Sequence, residues 1–441
     1  MSGPVGNNPY RASGVVAAAA GGGAISWCTT VKTGAFCVAA GSGYLVNTTS
    51  TAFTATLPCS PAEGDQASFV DFAGTFDSNA LTLGRGGKKI KGACCDATVS
   101  AERGAVTIIY TGTTQGWIQT SQGNDGTMVQ AEFVAATGGN QPTATGCIVC
   151  TNYKVHTFTG TGPLCVSNAG NSAGSSTIDY LVVAGGAGGG GGGPGTHSGG
   201  GGGAGGYRES NGTASGCYTT SPLGTGPCTT ALTAAVTDYT ITVGAGGAGS
   251  LSKNCKSTAG DDSVFSTITS AGGGTSGEAG GSAPGSAGGA GGSGGGGGSC
   301  TGGAGGAGNT PPTTPNQGFA GGSGKCNPAP DLSSGGGGGA TAVGANAGCG
   351  EGGDGGAGAT SCITASPVAR AGGGGGGANV ADGGGQGTAG GGNSNPTPGP
   401  AMAGTVNTGG GAASGSASTP LPCNGGGAGG SGYVVVRYKF Q

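Results

Sequence analysis

Cys147 and Cys150 form a CxxC in "CIVC", and His156 and Cys165 follow within reach. Three thiols and an imidazole at this spacing could make a Cys3His zinc site, since these are ligand types that zinc prefers. A redox role would need a thioredoxin-like βαβ setting, which the flanking residues do not provide. The set therefore reads first as disulfide or inert thiol, and no metal or cofactor is expected. Cys94 and Cys95 are neighbours. Neighbours on a strand face opposite ways, so each should have its own partner.

Other catalytic patterns are weaker still. GxGxxG recurs by chance in glycine blocks. In "YLVVAGGAGG" a strand precedes it, but nothing after it can form the helix a dinucleotide needs. Asp261 and Asp262 in "GDDSVF" read as turn formers. Asp65, Asp71 and Asp77 have nothing to bring them together. His156 and His197 are the two histidines, too few to argue a Ser/His/Asp triad in a serine-rich chain. The chain is not expected to be an enzyme.

What must position these residues is an unusual polymer. Of 441 residues 115 are glycine, and 7% are charged and 5% aromatic. Glycine loses the most backbone freedom on folding and buries no side chain. Blocks of unequal length exclude the strict Gly-X-Y period of collagen. The net charge of -3 argues against nucleic acid as a partner, because phosphate binding needs clustered cations. No apolar stretch is long enough to span a bilayer. The short, alanine-rich run near the N-terminus reads as part of a flexible arm rather than a signal peptide.

Composition divides the chain. Residues 1–24 form the arm, a possible attachment segment. Residues 25–140 read as a small β-domain, a sandwich or barrel. "GYLVNTTSTAFTATLP" alternates apolar and polar positions, and "AVTIIYTGTTQGWIQT" reads as a hairpin. The domain's modest apolar content suggests that it completes its core by oligomerising. Residues 141–184 hold lead-in strands, 185–431 the glycine blocks and 432–441 a closing strand. In that strand Val434, Val436, Tyr438 and Phe440 would line one face, with Arg437 and Lys439 on the other.

A glycine block can adopt the polyproline II helix, with three residues per turn and every N–H and C=O pointing outward. Without Cβ atoms such helices can pack and bond to one another, and Cα–H···O contacts add to this. The fold class expected is all-β plus polyglycine II: a β-base carrying a bundle of packed polyglycine helices. Ala, Ser, Asp and Glu inside blocks would lie on its outer faces, with Pro- and Asn-rich stretches as reversals. The competing reading is a linker without fixed structure.

The 16 cysteines would stabilise a weak core by cross-linking, worth roughly 2–4 kcal/mol per bond. Cys217 with Cys228, and Cys28 with Cys37, are the candidate pairs.

The ordered series "YKVHTFTGTG … IDYLVVAGGAGGGGGG … YTITVGAGGAG … DSVFSTITSAGGG … GGAGGSGYVVVRY" resembles the glycine-rich domain of bacteriophage tail-fibre proteins and tail-tip adhesins, over about Tyr153 to Phe440. The first domain is similar to a β-domain of marine-phage structural proteins. The resemblance implies a virion-surface protein that binds a bacterial receptor, protein or glycan, through loops between polyglycine helices. It also implies other virion or fibre proteins as partners, and a homo-oligomer such as a trimer. Cys37 and Cys165 stand where such proteins commonly have Thr or Val, which suggests an oxidised, cross-linked particle. Aromatic and Arg side chains favour binding surfaces, so Tyr207, Arg208, Tyr218, Phe319, Lys325 and Arg370 are the candidate receptor contacts. The alternative is a non-adhesive subunit of a disulfide-stabilised extracellular filament or particle coat.

Overall fold

The computed structural model describes residues 25–120, 128–140, 144–193, 197–213, 218–225, 229–280, 287–299, 302–325, 332–378, 383–394, 401–416 and 425–441. The expected arm over 1–24 and the cysteines Cys217 and Cys228 lie outside them. The chain is all-β and divides into two compact units, Met1–Glu132 with Asn171–Gly174, and Phe133–Gly170 with Ser175–Gln441.

In the first unit the strands are β1 (Ser26–Lys32), β2 (Phe36–Cys37), β3 (Ser42–Val46), β4 (Phe53–Thr56), β5 (Gln66–Asp71), β6 (Leu81–Gly84), β7 (Ala97–Val99), β8 (Ala105–Tyr110), β9 (Trp117–Gln119) and β10 (Met128–Gln130). One sheet runs β1–β3–β5–β8–β9, the other β10–β7–β6–β4–β2. From β1 to β6 successive strands alternate between the sheets, and neighbours β1/β3, β3/β5, β2/β4 and β4/β6 are parallel. Parallel neighbours need a crossover. Here the crossover is a strand of the opposite sheet, so the chain winds around its own core. Tyr44, Phe69, Leu81, Leu83, Ile108 and Trp117 are among the residues filling it.

Two sequence expectations meet this winding differently. The hairpin forms, with Ile109 opposite Ile118 and Tyr110 opposite Trp117. The run from Gly43 to Pro58, by contrast, is not one strand. Asn47 Oδ1 accepts the N–H of Thr49 at 2.9 Å and turns the chain, so β3 and β4 enter different sheets. The core is filled within one chain.

The second unit holds β11 (Val134–Gly138), β12 (Cys147–Val149), β13 (Tyr153–Phe158), β14 (Gly162–Ala169), β15 (Thr177–Val183), β16 (Tyr207–Glu209), β17 (Leu232–Thr233), β18 (Asp238–Thr242), β19 (Ser263–Phe265), β20 (Ile268–Ser270), β21 (Ala359–Ser361), β22 (Val368–Arg370) and β23 (Tyr433–Lys439). One sheet is β11–β14–β18–β19–β20. The other is β12–β13–β23–β15–β16, with β17 also on β15, and β21–β22 is a separate hairpin. Val134–Gly138 sits in this unit because β11 pairs with β14.

The closing strand β23 lies between β13 and β15. Val434, Val436 and Tyr438 pack with Phe158, Tyr180, Ile241 and Phe265 on one face. Val435 packs with Leu181, Val183, Tyr207 and Ile363 on the other. A strand covered on both faces reads as a continuous apolar run, as "YVVVRY" does.

Between the strands the central glycine runs, such as 184–193, 198–206, 333–340 and 370–378, are buried. The run 199–206 shows how. Gly200, Gly203 and Gly206 donate their N–H to Gly277, Gly274 and Ala271. Gly201 and Ala204 donate to Gly335 and Gly338, and Gly202 and Gly205 to Ala412 and Gly409. Every third residue returns to the same neighbour. Its carbonyls accept from three further runs, through Gly190, Ala187 and Ala184, through Gly296 and Ser293, and through Gly374. Six neighbours can surround one run only because side chains are missing. A Cβ on Gly337 would fall 1.9 Å from Gly202 O, and one on Gly189 1.7 Å from Ala413 O.

Alanine and serine inside the blocks divide by position: Ala245, Ala248, Ala304, Ala307 and Ala357 are exposed on outer runs, but others are enclosed. Ala187, Ala204, Ala412, Ser198, Ser299 and Ser334 are fully buried, whereas Glu351 and Asp354 are exposed. The serines bond to backbone at the ends of runs remote from the strands. Ser198 Oγ donates to Gly377 O at 3.0 Å, and Ser334 Oγ to Gly199 O at 2.5 Å. A one-carbon side chain fits there and supplies a donor where a run stops.

Candidate functional site

Runs reverse direction at turns, and the described turn richest in internal bonds is Asn309–Gln317, at the strand-side end of the runs. Asn309 Oδ1 accepts from the N–H of Thr313 at 2.9 Å and of Gln317 at 3.2 Å. Its amide donates to Thr313 O and to Asn316 Oδ1. Gln317 is buried: Nε2 donates to Pro311 O at 2.7 Å, and Oε1 accepts the N–H of Ala271 at 2.8 Å. The loop is thus tied to itself and to the lattice, while Pro311, Pro312, Thr314 and Asn316 remain exposed. Single apolar side chains are also exposed at other inter-run turns, namely Val343, Val406, Met402 and Leu251.

The six candidate contacts separate. Tyr207 and Arg370 are only 1% and 6% exposed, so neither can touch a partner, and that expectation is corrected. Tyr207 begins β16 and Arg370 ends β22, so each lies in a strand rather than in a loop. Tyr218 is partly buried with its ring 5.0 Å from the Arg437 guanidinium. Arg208, Phe319 and Lys325 are half-buried. Lys325 Nζ lies 2.7 Å from Cys349 Sγ.

Tyr207, Tyr218 and Arg370 instead converge on a buried polar cluster around Glu209. Its Oε2 accepts the Tyr207 hydroxyl and the Ser221 N–H, both at 3.0 Å, and its Oε1 accepts Ser361 Oγ at 2.5 Å. Burial pushes the Glu209 carboxyl up, against these bonds, which pull it down. Arg370 lies over the Tyr433 ring at 4.3 Å. Arg437, 1% exposed, is flanked by the rings of Tyr153 and Tyr218, donates to Ile363 O at 3.1 Å, and is the cross-strand partner of Asp179. Asp179 Oδ1 accepts Ser210 Oγ at 2.7 Å. With both carboxylate oxygens occupied and no water access, Glu209 is a fastener. It joins β16, the segment at Ser221 and the β21–β22 hairpin. Sequence reasoning missed Glu209, Asp179 and the burial of Arg437. For Asp179 and Arg437 the available signal was a charge inside an apolar strand run, as in "IDYLVV" and "VVVRYKF"; Glu209, in "GGYRESNG", carried no such signal.

The zinc pattern does not assemble. Cys147 pairs with Val155 at one edge of its sheet, while Cys165 is in the other sheet. His156 is fully buried, and both its nitrogens are engaged. Nδ1 is 2.7 Å from Gly138 O and Nε2 2.9 Å from the Tyr438 hydroxyl. Nδ1–H therefore donates to the carbonyl, and the tyrosine donates to Nε2. Burial holds the imidazole below the ordinary value and pushes Tyr438 up to about 12. Neutral His156 is required in the fold, so its contribution is present above the ordinary histidine value of about 6.5 and is lost as pH falls through the lowered folded value. Urea unfolding at pH 7 and pH 5 checks this. The stability difference between wild type and His156→Gln, which keeps a donor and an acceptor, should shrink or reverse at pH 5. An unchanged difference would refute it.

The eleven described cysteines are free thiols. The expected Cys28–Cys37 bond is not formed: both are free thiols, in strands of different sheets. Cys28 pairs with Tyr44, and Cys37 with Thr56.

The sequence model of a family described as a glycine-rich domain matches residues 167–439. The chain belongs to that family. No curated protein matches it.

Proposed function

We propose that the glycine blocks are a bundle of polyglycine II helices and that the chain is a non-enzymatic bacteriophage virion protein, tail-fibre or adhesin-like, binding the host surface through loops between the helices. The observation that carries the first part is the return of every third N–H to the same neighbouring run. That is the period of a three-residue helix whose bonds all point outward. The second part draws on the family resemblance and on the pre-tied loop at Asn309–Gln317. A loop already fixed loses little entropy when it binds. Its exposed, uncharged atoms suit a protein or glycan receptor. At the virion surface, copies of the chain and other fibre proteins would be its partners.

The test is adsorption to cells of the bacterial strain that the particle infects. Replacing Pro311–Asn316 with a Gly-Ser stretch of equal length should weaken binding by about tenfold or more, the scale of a lost interface centre. Unchanged adsorption by this variant and by one with Val343 and Val406 replaced by serine would reject the adhesin reading.

A further inference from the structure

We propose that the turn between β6 and β7 in the first unit is an anion-binding site for a small phosphate or sulfate ester. This inference is independent of the adhesin reading, which concerns the second unit. The stretch Arg85–Lys91, "RGGKKIK", holds four of the six Lys and Arg residues between 25 and 132 (Lys32, Arg85, Lys88, Lys89, Lys91 and Arg103). Arg85, Lys88 and Lys89 line a surface cavity of about 280 Å³ together with Cys94, Tyr110 and Thr113.

The backbone that carries the cations is held in place. Ile90 is fully buried and plugs the turn into the core. On either side of it, Trp117 N–H donates to Lys89 O and Lys91 N–H to Trp117 O, both at 2.9 Å. Gly92 N–H donates to Gln115 O at 2.8 Å, and Arg85 N–H to Asp96 Oδ1 at 2.9 Å. Gly86 and Gly87 take the left-handed conformation, with φ of 55° and 83°. A frame this closely bonded keeps the three basic residues around one cavity. Like charges gathered there repel one another. Exposed Asp96 offsets one of them. An oxyanion with several acceptor oxygens offsets the rest through charge-assisted bonds.

The choice of a small ester follows from size and charge count. The cavity is at the low end of ligand pockets. Residues 25–132 carry eight acids (Glu63, Asp65, Asp71, Asp77, Asp96, Glu102, Asp125 and Glu132) against six bases. The positive charge is therefore a point and not the stripe that a nucleic-acid backbone requires.

The test is calorimetric or ligand-observed NMR titration of the full chain with mannose 6-phosphate, mannose 6-sulfate, mannose, inorganic phosphate and an oligothymidylate. Both esters should bind and mannose should not. Affinity should fall about tenfold or more in R85Q/K88Q/K89Q. The same loss should follow from Thr113→Glu, which places a carboxylate in the cavity and leaves the turn untouched, whereas Lys32→Gln should bind as wild type does. Three results would overturn the proposal: full affinity in both cavity variants, inorganic phosphate bound as tightly as the esters, or tighter binding of oligothymidylate with a steep salt dependence.

Discussion

Gly337→Val should destabilise the second unit by about 3 kcal/mol or more, at the upper end of what overpacking costs. Gly337 sits where runs meet. Its N–H donates to Gly374 O at 2.9 Å, and its carbonyl accepts from Gly356 at 2.8 Å. The new Cβ would meet Gly202 O at 1.9 Å, a backbone atom that cannot swing aside. Gly202 is itself bonded to Ala412, so moving it disturbs a third run. Each backbone bond is worth only about 1 kcal/mol net, while ordering a residue costs about 1–2 kcal/mol. A lone run therefore cannot hold itself, and one misplaced run releases its neighbours. Gly160→Ala is the control, because nothing lies within 4 Å of the added Cβ. It should be neutral. Unfolding of the full chain, followed with amide exchange across 184–206 and 335–377, reads both outcomes. Wild-type exchange in Gly337→Val would contradict the close-packed lattice.

Glu209→Ala should cost about 3–5 kcal/mol, the scale for breaking a buried charged network by removing one member. The Tyr207 hydroxyl, Ser361 Oγ and Ser221 N–H would lose their acceptor, and Arg370 the nearby negative charge. Glu209→Gln keeps an acceptor oxygen and should cost less. The pH dependence separates the charge from the bonds. Burial raises the folded carboxyl above its ordinary value of 4.5. Between these two values the folded state keeps a proton that the unfolded chain has released. Stability therefore falls as pH rises through that window, and the loss is complete above it. Glu209→Gln should remove this slope. A variant with the same pH profile as wild type would show that Glu209 does not titrate in the fold.

Much of this architecture is legible in single residues. Trp117 and Tyr110 flank a Gly-containing connection and form the expected hairpin. The alternation Val434, Val436, Tyr438 places one face of β23 in a core, as read. Arg437 and Glu209 were not legible in the same way. A charge in a strand looks like an exposed position until a second layer covers it, here the β21–β22 hairpin, more than 60 residues upstream of β23. Ser198 and Ser334 were misplaced for a related reason. A polar side chain suggests solvent, yet inside a lattice of backbone the scarce commodity is a donor for a terminal carbonyl.

Taken alone, the sequence determined that the chain is all-β, that glycine dominates one region and that apolar strands bracket it, because strand alternation and side-chain absence are local properties. Only the tertiary structure decided which runs are neighbours, which charges are buried and which cysteines stay apart. Glycine carries no side chain to specify a partner, so the register of each run comes from the strands and turns at its ends.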